Sequence, residues 1–344
     1  CLHWASESGD LDVVKLALEI GVDIDSTDAS GNTALMVACS YAGIEIVQWL
    51  IAAGANSNIE NSRGESALFV SVRNSCPEAC ELLLKSGANF HATAEGRKTL
   101  MHYAVASGDS SVVNILLKNS VSADLQDEEG DTPLKLAILQ KNAAIVNSLI
   151  DCGVSANQTD KSGQTLLHLA VRSEHFTIFQ KLLQYGVPTD LPDEEGIRPI
   201  HVASESRQLA MLEMLIKSQV AASTQDKRGR TPLHYSAEQG HAAASALLVF
   251  DGAANVHSQD LSGATALHLA AEGGHESVLR LLAPLGSVNK KRGDGKTALH
   301  LAATCSCECV THLLQAGARH TLKDELARTP LHYAAIADNV QAVE

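Results

Sequence analysis

Aromatic residues are scarce. Only 3% of this 344-residue chain is Phe, Trp or Tyr, less than a single large core of that length ordinarily uses. The 45% of hydrophobic residues must therefore serve many small packing sites. Basic residues are also in short supply: 26 Lys and Arg stand against 40 Asp and Glu, a formal net charge of −14. That balance argues against a general nucleic-acid binder, which carries a basic surface. The deficit is uneven, with 13 basic and 26 acidic side chains in residues 1–200 but 13 and 14 in residues 201–344. The N-terminal half is expected to be acidic and the C-terminal half nearly neutral.

Other absences narrow the class further. No apolar run approaches the roughly 18–20 residues that span a bilayer, so no membrane insertion is expected, and no secretory leader is visible. The eight cysteines lack the regular spacing of a disulfide framework. Cys1, Cys39, Cys76, Cys80 and Cys152 sit among apolar neighbours and read as small core fillers in a reducing compartment, the cytoplasm before the nucleus. The chain opens at CLHWA and closes at NVQAVE without polar capping segments, so the native protein is expected to continue at both ends. There is no phosphate-cradling GxxxxGK[ST], no nucleophile elbow and no pair of carboxylates in a non-repeating context. The acidic stretches DEEGD (127–131) and DEEG (193–196) lack calcium-loop spacing.

What the chain does have is a period. Thr33, Ser66, Thr99, Thr132, Thr165, Arg198, Thr231, Thr265, Thr297 and Thr329 open equivalent segments, 33 residues apart six times and then 34, 32 and 32. One further step back reaches CLHWA, which matches the later TPLHYSA and ALHLAA. Residues 1–344 thus read as one array of eleven units, nine complete and the first and last cut short. Each unit has a Gly-containing turn, then Thr as helix cap and often Pro at the first helical position. An Ala-rich helix, a break and a second helix of apolar periodicity follow. Gly54, Gly87, Gly153, Gly186, Gly252, Gly286 and Gly317 end the second helices, where a left-handed cap is expected. Neither short helix can bury its apolar face alone, but stacked neighbours can.

TPLHYSA (231–237), TPLHYAA (329–335) and TALHLAA (265–271 and 297–303) carry a resemblance to the ankyrin-repeat family, whose signature is Thr-Pro-Leu-His-x-Ala. The resemblance covers essentially the whole chain. It implies an all-α repeat solenoid of helix pairs and projecting fingers, curved so that fingers and first helices line a concave groove. It also implies a non-enzymatic scaffold or adaptor that binds a partner protein or peptide, without cofactor, nucleic acid or small-molecule substrate. GDTPLKLAIL and GQTLLHLAV look like rabankyrin-type endosomal adaptors. The alternative reading is therefore the cytosolic regulatory domain of a larger enzyme, channel or endosomal trafficking protein.

His234, Glu238 and His241 recur as His268, Glu272 and His275, a spacing that would form a zinc set if one helix ran through it. Gly240 breaks that helix. The motif histidine returns at His3, His102, His168, His201, His234, His268, His300 and His332, and the resemblance implies a structural role that ties one repeat to the next. Met36, Phe69 and Lys135 replace it. Arg198 replaces the capping Thr, Gly96 has slipped one place and leaves Arg97 where positive φ is expected, and Ser120 and Gln219 replace helix-ending glycines. A distorted finger at residues 95–98 and weakened helix ends at Ser120 and Gln219 are expected.

Function should lie where the units differ. At the fingertips these positions are Arg63, Glu65, Lys98, Glu128, Glu129 and Asp131, continuing with Glu194, Glu195, Lys227, Arg228 and Arg230. Along the first helices they are Tyr41, Arg73, Leu139 and Arg172, with Glu205, Glu238 and Glu272. Exposed Tyr and Arg are the stronger candidates for binding hot spots. The cluster Cys305, Cys307, Cys309 and His312 is a lesser metal or redox candidate, because C-x-C-x-C is not common zinc spacing. KKRGDGK (290–296) is a basic fingertip. Asn58 lies four residues after Gly54, and the family resemblance makes it a candidate for asparaginyl hydroxylation; a local turn role is the competing reading.

Overall fold

The computed structural model describes residues 2–41, 43–305 and 307–343, with side chains for all of these except Cys307. Cys1 of the expected thiol set lies outside the described residues. The chain forms two compact units, Cys1–Asp160 and Lys161–Glu344. Each is a stack of short helix pairs, first helix against first helix and second against second.

In the first unit the pairs are Leu2–Ser8 with Leu11–Glu19, Ala34–Ser40 with Ile44–Ala52, Ala67–Arg73 with Pro77–Lys85, Leu100–Ser107 with Ser110–Lys118, and Pro133–Leu139 with Ala143–Asp151. In the second they run from Leu166–Arg172 with Phe176–Gln184 to Pro330–Ile336 with Val340–Val343. Helices this short are marginal in isolation. Packing holds them: Leu35, Met36, Ile46, Val47 and Leu50 of one pair are all at most 1% exposed, and full burial of each such side chain contributes roughly 1.5–3 kcal/mol. Caps set the helix starts. Thr33 Oγ1 accepts the Met36 N–H at 3.3 Å, and Thr132 Oγ1 accepts that of Lys135 at 3.2 Å.

The fingers obey a rule of their own. In most of them an Asp or Asn five residues before the cap accepts two backbone N–H groups, two and four residues onward. Asp127 holds Glu129 and Asp131 this way at 3.0 and 2.9 Å, and Asp226 holds Arg228 and Arg230, both at 2.8 Å. Successive fingers then join backbone to backbone, as in Lys227 N–H to Glu195 O at 2.9 Å and Glu325 N–H to Asp294 O at 3.2 Å. The approach is close enough that a Cβ on Gly196 would lie 2.9 Å from Lys227 N, and one on Gly295 2.7 Å from Glu325 N. Both glycines also have φ near +78°, so geometry and contact demand glycine together.

One sequence expectation needs adjustment. Gly54, Gly87, Gly153, Gly186 and Gly317 have positive φ, but Gly252 and Gly286 do not. The 34-residue repeat takes up its extra residue as a π-turn over Leu247–Asp251, and the left-handed position passes to Ala253 at φ 50°. Ser120 and Gln219 nevertheless take left-handed φ of 58° and 60°, at a cost of about 1 kcal/mol relative to glycine. At residues 95–98 both Gly96 and Arg97 have positive φ, within a short 3-10 turn between the paired strands Thr93–Ala94 and Lys98–Thr99. Ala94 stands where most other fingers have Asp or Asn, so this finger lacks the side-chain turn.

Candidate protein-binding surface

The repeated histidine belongs to the frame. His234 Nδ1 accepts the Thr231 N–H at 3.0 Å and pairs with Thr231 Oγ1 at 2.8 Å. The ring proton must then sit on Nε2, which donates to Ala264 O in the next repeat at 3.1 Å. His102, His168, His268 and His300 repeat the arrangement with Asp131 O, Ile197 O, Lys290 O and Arg328 O. His3 Nε2 reaches Asn32 O at 2.8 Å. Without a capping hydroxyl, Arg198 still donates its N–H to His201 Nδ1 at 3.0 Å, while its guanidinium turns back to Asp190. Both nitrogens of His234 are thus engaged. Glu238 pairs instead with Arg230, and His241 begins the next helix.

Where the histidine is replaced, other forces join the repeats. Met36 and Phe69 are buried, and Phe69 packs edge-on against Tyr103 with ring centroids 5.4 Å apart. Lys135 lies between Asp131 and Asp160, the latter at 3.5 Å. These carboxylates raise its pKa against the opposing effect of burial.

The positions selected by variability divide into two kinds. Lys98, Glu128, Glu129, Glu194, Glu195, Lys227 and Arg228 are exposed at the fingers. Glu65 is not a surface group, which corrects its assignment to the fingertip. It is 2% exposed, accepts both oxygens' worth of contact from Arg73 Nη1 at 2.6 and 2.8 Å, and pairs with Arg63 at 3.1 Å. Arg230 is likewise half-buried, 2.8 Å from Glu238 and 5.9 Å from the Tyr235 ring. Asp131 is half-buried against Lys135. On the first helices Tyr41, Leu139, Arg172, Glu205 and Glu272 are exposed. The Tyr41 hydroxyl donates to Glu7 at 2.9 Å, and Glu272 meets Arg292 at 3.1 Å. In the basic fingertip, Arg292 also engages Asp294 at 2.9 Å, so much of that charge is neutralised locally.

Within Lys161–Glu344 the fingers carrying Glu194 and Glu195 and those carrying Lys227 and Arg228 are direct neighbours, joined through Lys227 N–H and Glu195 O. The surface sign therefore changes over one repeat. Tyr41, Leu139, Glu128 and Glu129 belong to the other unit.

The remaining candidates sit as follows. Asn58 Oδ1 accepts the Asn89 N–H of the next repeat at 2.8 Å, as Asp25 and Asp124 do for Asn56 and Ser155. The Cys305 thiol donates to Glu272 O at 3.2 Å, Cys309 is buried and His312 pairs with Glu276 at 3.0 Å. The Cys307 side chain lies outside the described residues. Among the described residues no three His, Cys, Asp or Glu side chains converge on a metal-sized point, and no helix is long and apolar enough to cross a membrane. Sequence reasoning missed the finger Asp series, although its signal, an acid or amide five places before the cap, repeats in the same register except at Ala94 and Arg292.

The family model described as Ankyrin repeats (3 copies) matches residues 2–94, 101–193, 178–260, 243–324 and 285–344. The chain is similar to the crystal structure of the ankyrin repeat domain of Bcl-3, described as a unique member of the IkappaB protein family. That likeness has 25% identity and a TM-score of 0.57, over 62% of this chain and 96% of that one. It is also similar to the human ASB11 ankyrin repeat domain, with 25% identity, a TM-score of 0.54 and the same coverages of 62% and 96%. No curated protein matches the chain.

Proposed function

The chain belongs to the ankyrin-repeat family, and from that premise we propose that it is a non-enzymatic scaffold which holds a partner protein in the cytoplasm. The observation that carries this reading is the division of labour among side chains. The ring histidines from His102 to His300, the Thr caps beside them and the finger acids Asp127, Asp226 and Asp324 are buried and paired, while Glu194, Glu195, Lys227 and Arg228 differ between repeats and are exposed. Such a surface can vary freely without disturbing the frame. The repeat register runs from Thr132 to Thr165 without interruption, which supports treating residues 1–344 as one array.

The sign change in the second unit supports a partner of matching charge. A segment lying along these fingers would present basic groups to Glu194 and Glu195, then acidic groups to Lys227 and Arg228. Charges of this kind act chiefly on association rate and register, and salt weakens them. The test compares proteins captured by the wild-type chain, by Glu194→Lys with Glu195→Lys, and by Lys227→Glu with Arg228→Glu. We expect each reversal to slow capture of the same partner without altering thermal stability. Equal capture by all three would remove the fingertip charges from the reading and leave Tyr41, Leu139 and Arg172 as the positions to substitute.

A further inference from the structure

The histidine frame is distributed unequally. In Lys161–Glu344 every repeat keeps the ring: His168, His201, His234, His268, His300 and His332. The first five are at most 1% exposed. In Cys1–Asp160 the series is broken by Met36, Phe69 and Lys135, leaving His3 and His102. The geometry of each ring makes it intolerant of a second proton. Nδ1 is an acceptor facing a backbone N–H at 3.0–3.2 Å, as at Thr165, Arg198, Thr231, Thr265 and Thr297. Protonation would set two donors head to head and release the N-terminal cap of the first helix.

We propose that Lys161–Glu344 is an acid-sensitive stack, loosened when its buried histidines take up protons under mildly acidic conditions, whereas Cys1–Asp160 keeps its fold. Charged groups surround the rings from neighbouring fingers. Arg198 and Asp226 face His201; Arg230, Asp226 and Asp260 face His234. Arg292 and Asp294 face His268, while Lys291 and Asp324 face His300. In the first unit Lys98, Asp127 and Asp131 face His102. The acids favour a charged ring, but burial outweighs them. It holds His102, His201, His234 and His300 below the usual imidazole value and His268 at about 4.

The direction follows from linkage. A histidine whose folded pKa is depressed contributes its full stability above the unfolded value near 6.5, and that contribution falls as pH drops below it. For His268 the loss continues to about pH 4. Each ring can change the folding equilibrium by up to about tenfold per pH unit inside its window. The second unit places five buried rings in series; the first has one. Asp and Glu ordinarily titrate near 4, so they remain largely charged at the upper end of this window.

Both tryptophans, Trp4 and Trp49, lie in the first unit, which supplies a selective reporter. Urea unfolding of the full chain would be followed by tryptophan fluorescence and by far-UV circular dichroism at pH 7.5 and 5.5. We expect the part of the dichroism transition not shared with fluorescence to move to lower urea, corresponding to about a hundredfold or greater loss in its folding equilibrium constant. The fluorescence transition should shift by less than about tenfold in equilibrium constant, the limit set by one buried ring. His234→Gln with His268→Gln should reduce the acid shift; should that variant fail to fold, the wild-type comparison decides alone. Equal shifts of both transitions, or no acid shift outside the fluorescence signal, would overturn the proposal.

Discussion

The two compact units solve one problem in two ways. Residues 1–160 hold 9 basic and 21 acidic side chains, a net of −12; residues 161–344 hold 17 and 19, a net of −2. The second unit ties each repeat to the next through a neutral imidazole with a fixed tautomer. The first does so at two of its five repeats with an aromatic ring or an ion pair, and at a third it buries the Met36 thioether in the histidine's place. A repeat therefore needs the inter-repeat connection more than it needs histidine. What changes with the substitution is the kind of stress to which the connection responds: apolar contacts tolerate acid, and imidazoles do not.

The largest effect should come from emptying the aromatic connection. Phe69→Ala removes a fully buried ring and its edge-on contact with Tyr103, and should destabilise the first unit by about 3–5 kcal/mol. Urea unfolding monitored by tryptophan fluorescence reads that loss; a change below about 1 kcal/mol would mean that Phe69 does not join the repeats. In the second unit, His234→Ala leaves the Thr231 N–H and the Ala264 carbonyl without their partner. It should cost about 2 kcal/mol by circular dichroism and leave metal content unchanged. Stoichiometric zinc lost with this variant would reinstate the metal reading.

These comparisons show which parts of the molecule the sequence makes legible. The period, the Thr caps and the Gly-containing turns specify helix pairs and fingers because each is a local demand on backbone geometry. The burial of Glu65 is a relation between distant positions. It lies just before a cap and meets Arg73 eight residues later, and Arg230 with Glu238 is the same pair with charges exchanged. Reading either position alone makes both look like surface variation. The shift of the left-handed residue from Gly252 to Ala253 was equally hidden, because nothing local indicates that an inserted residue enters a π-turn.

Smaller effects sharpen the contrast. Lys135→Met removes the cation between Asp131 and Asp160. It should destabilise the first unit by about 1 kcal/mol, since lost attraction is partly offset by the cost of burying the charge. A gain in stability would show that the ion pair is retained for something other than folding. The fingertip pair Lys227→Glu and Arg228→Glu, both exposed, should alter stability by less than about 0.5 kcal/mol. A larger loss by calorimetry would place these groups in the frame.

The central claim is that the recurring histidines are frame and the varied fingertips are function. Nitrogen-15 spectra of the imidazole rings, recorded with and without added zinc, test the first half directly. We predict that His102, His168, His201, His234, His268 and His300 each show a protonated Nε2 and a bare Nδ1 at neutral pH, unchanged by zinc. Mixed tautomers in these rings, or zinc-induced shifts at His234 and His268, would contradict the account.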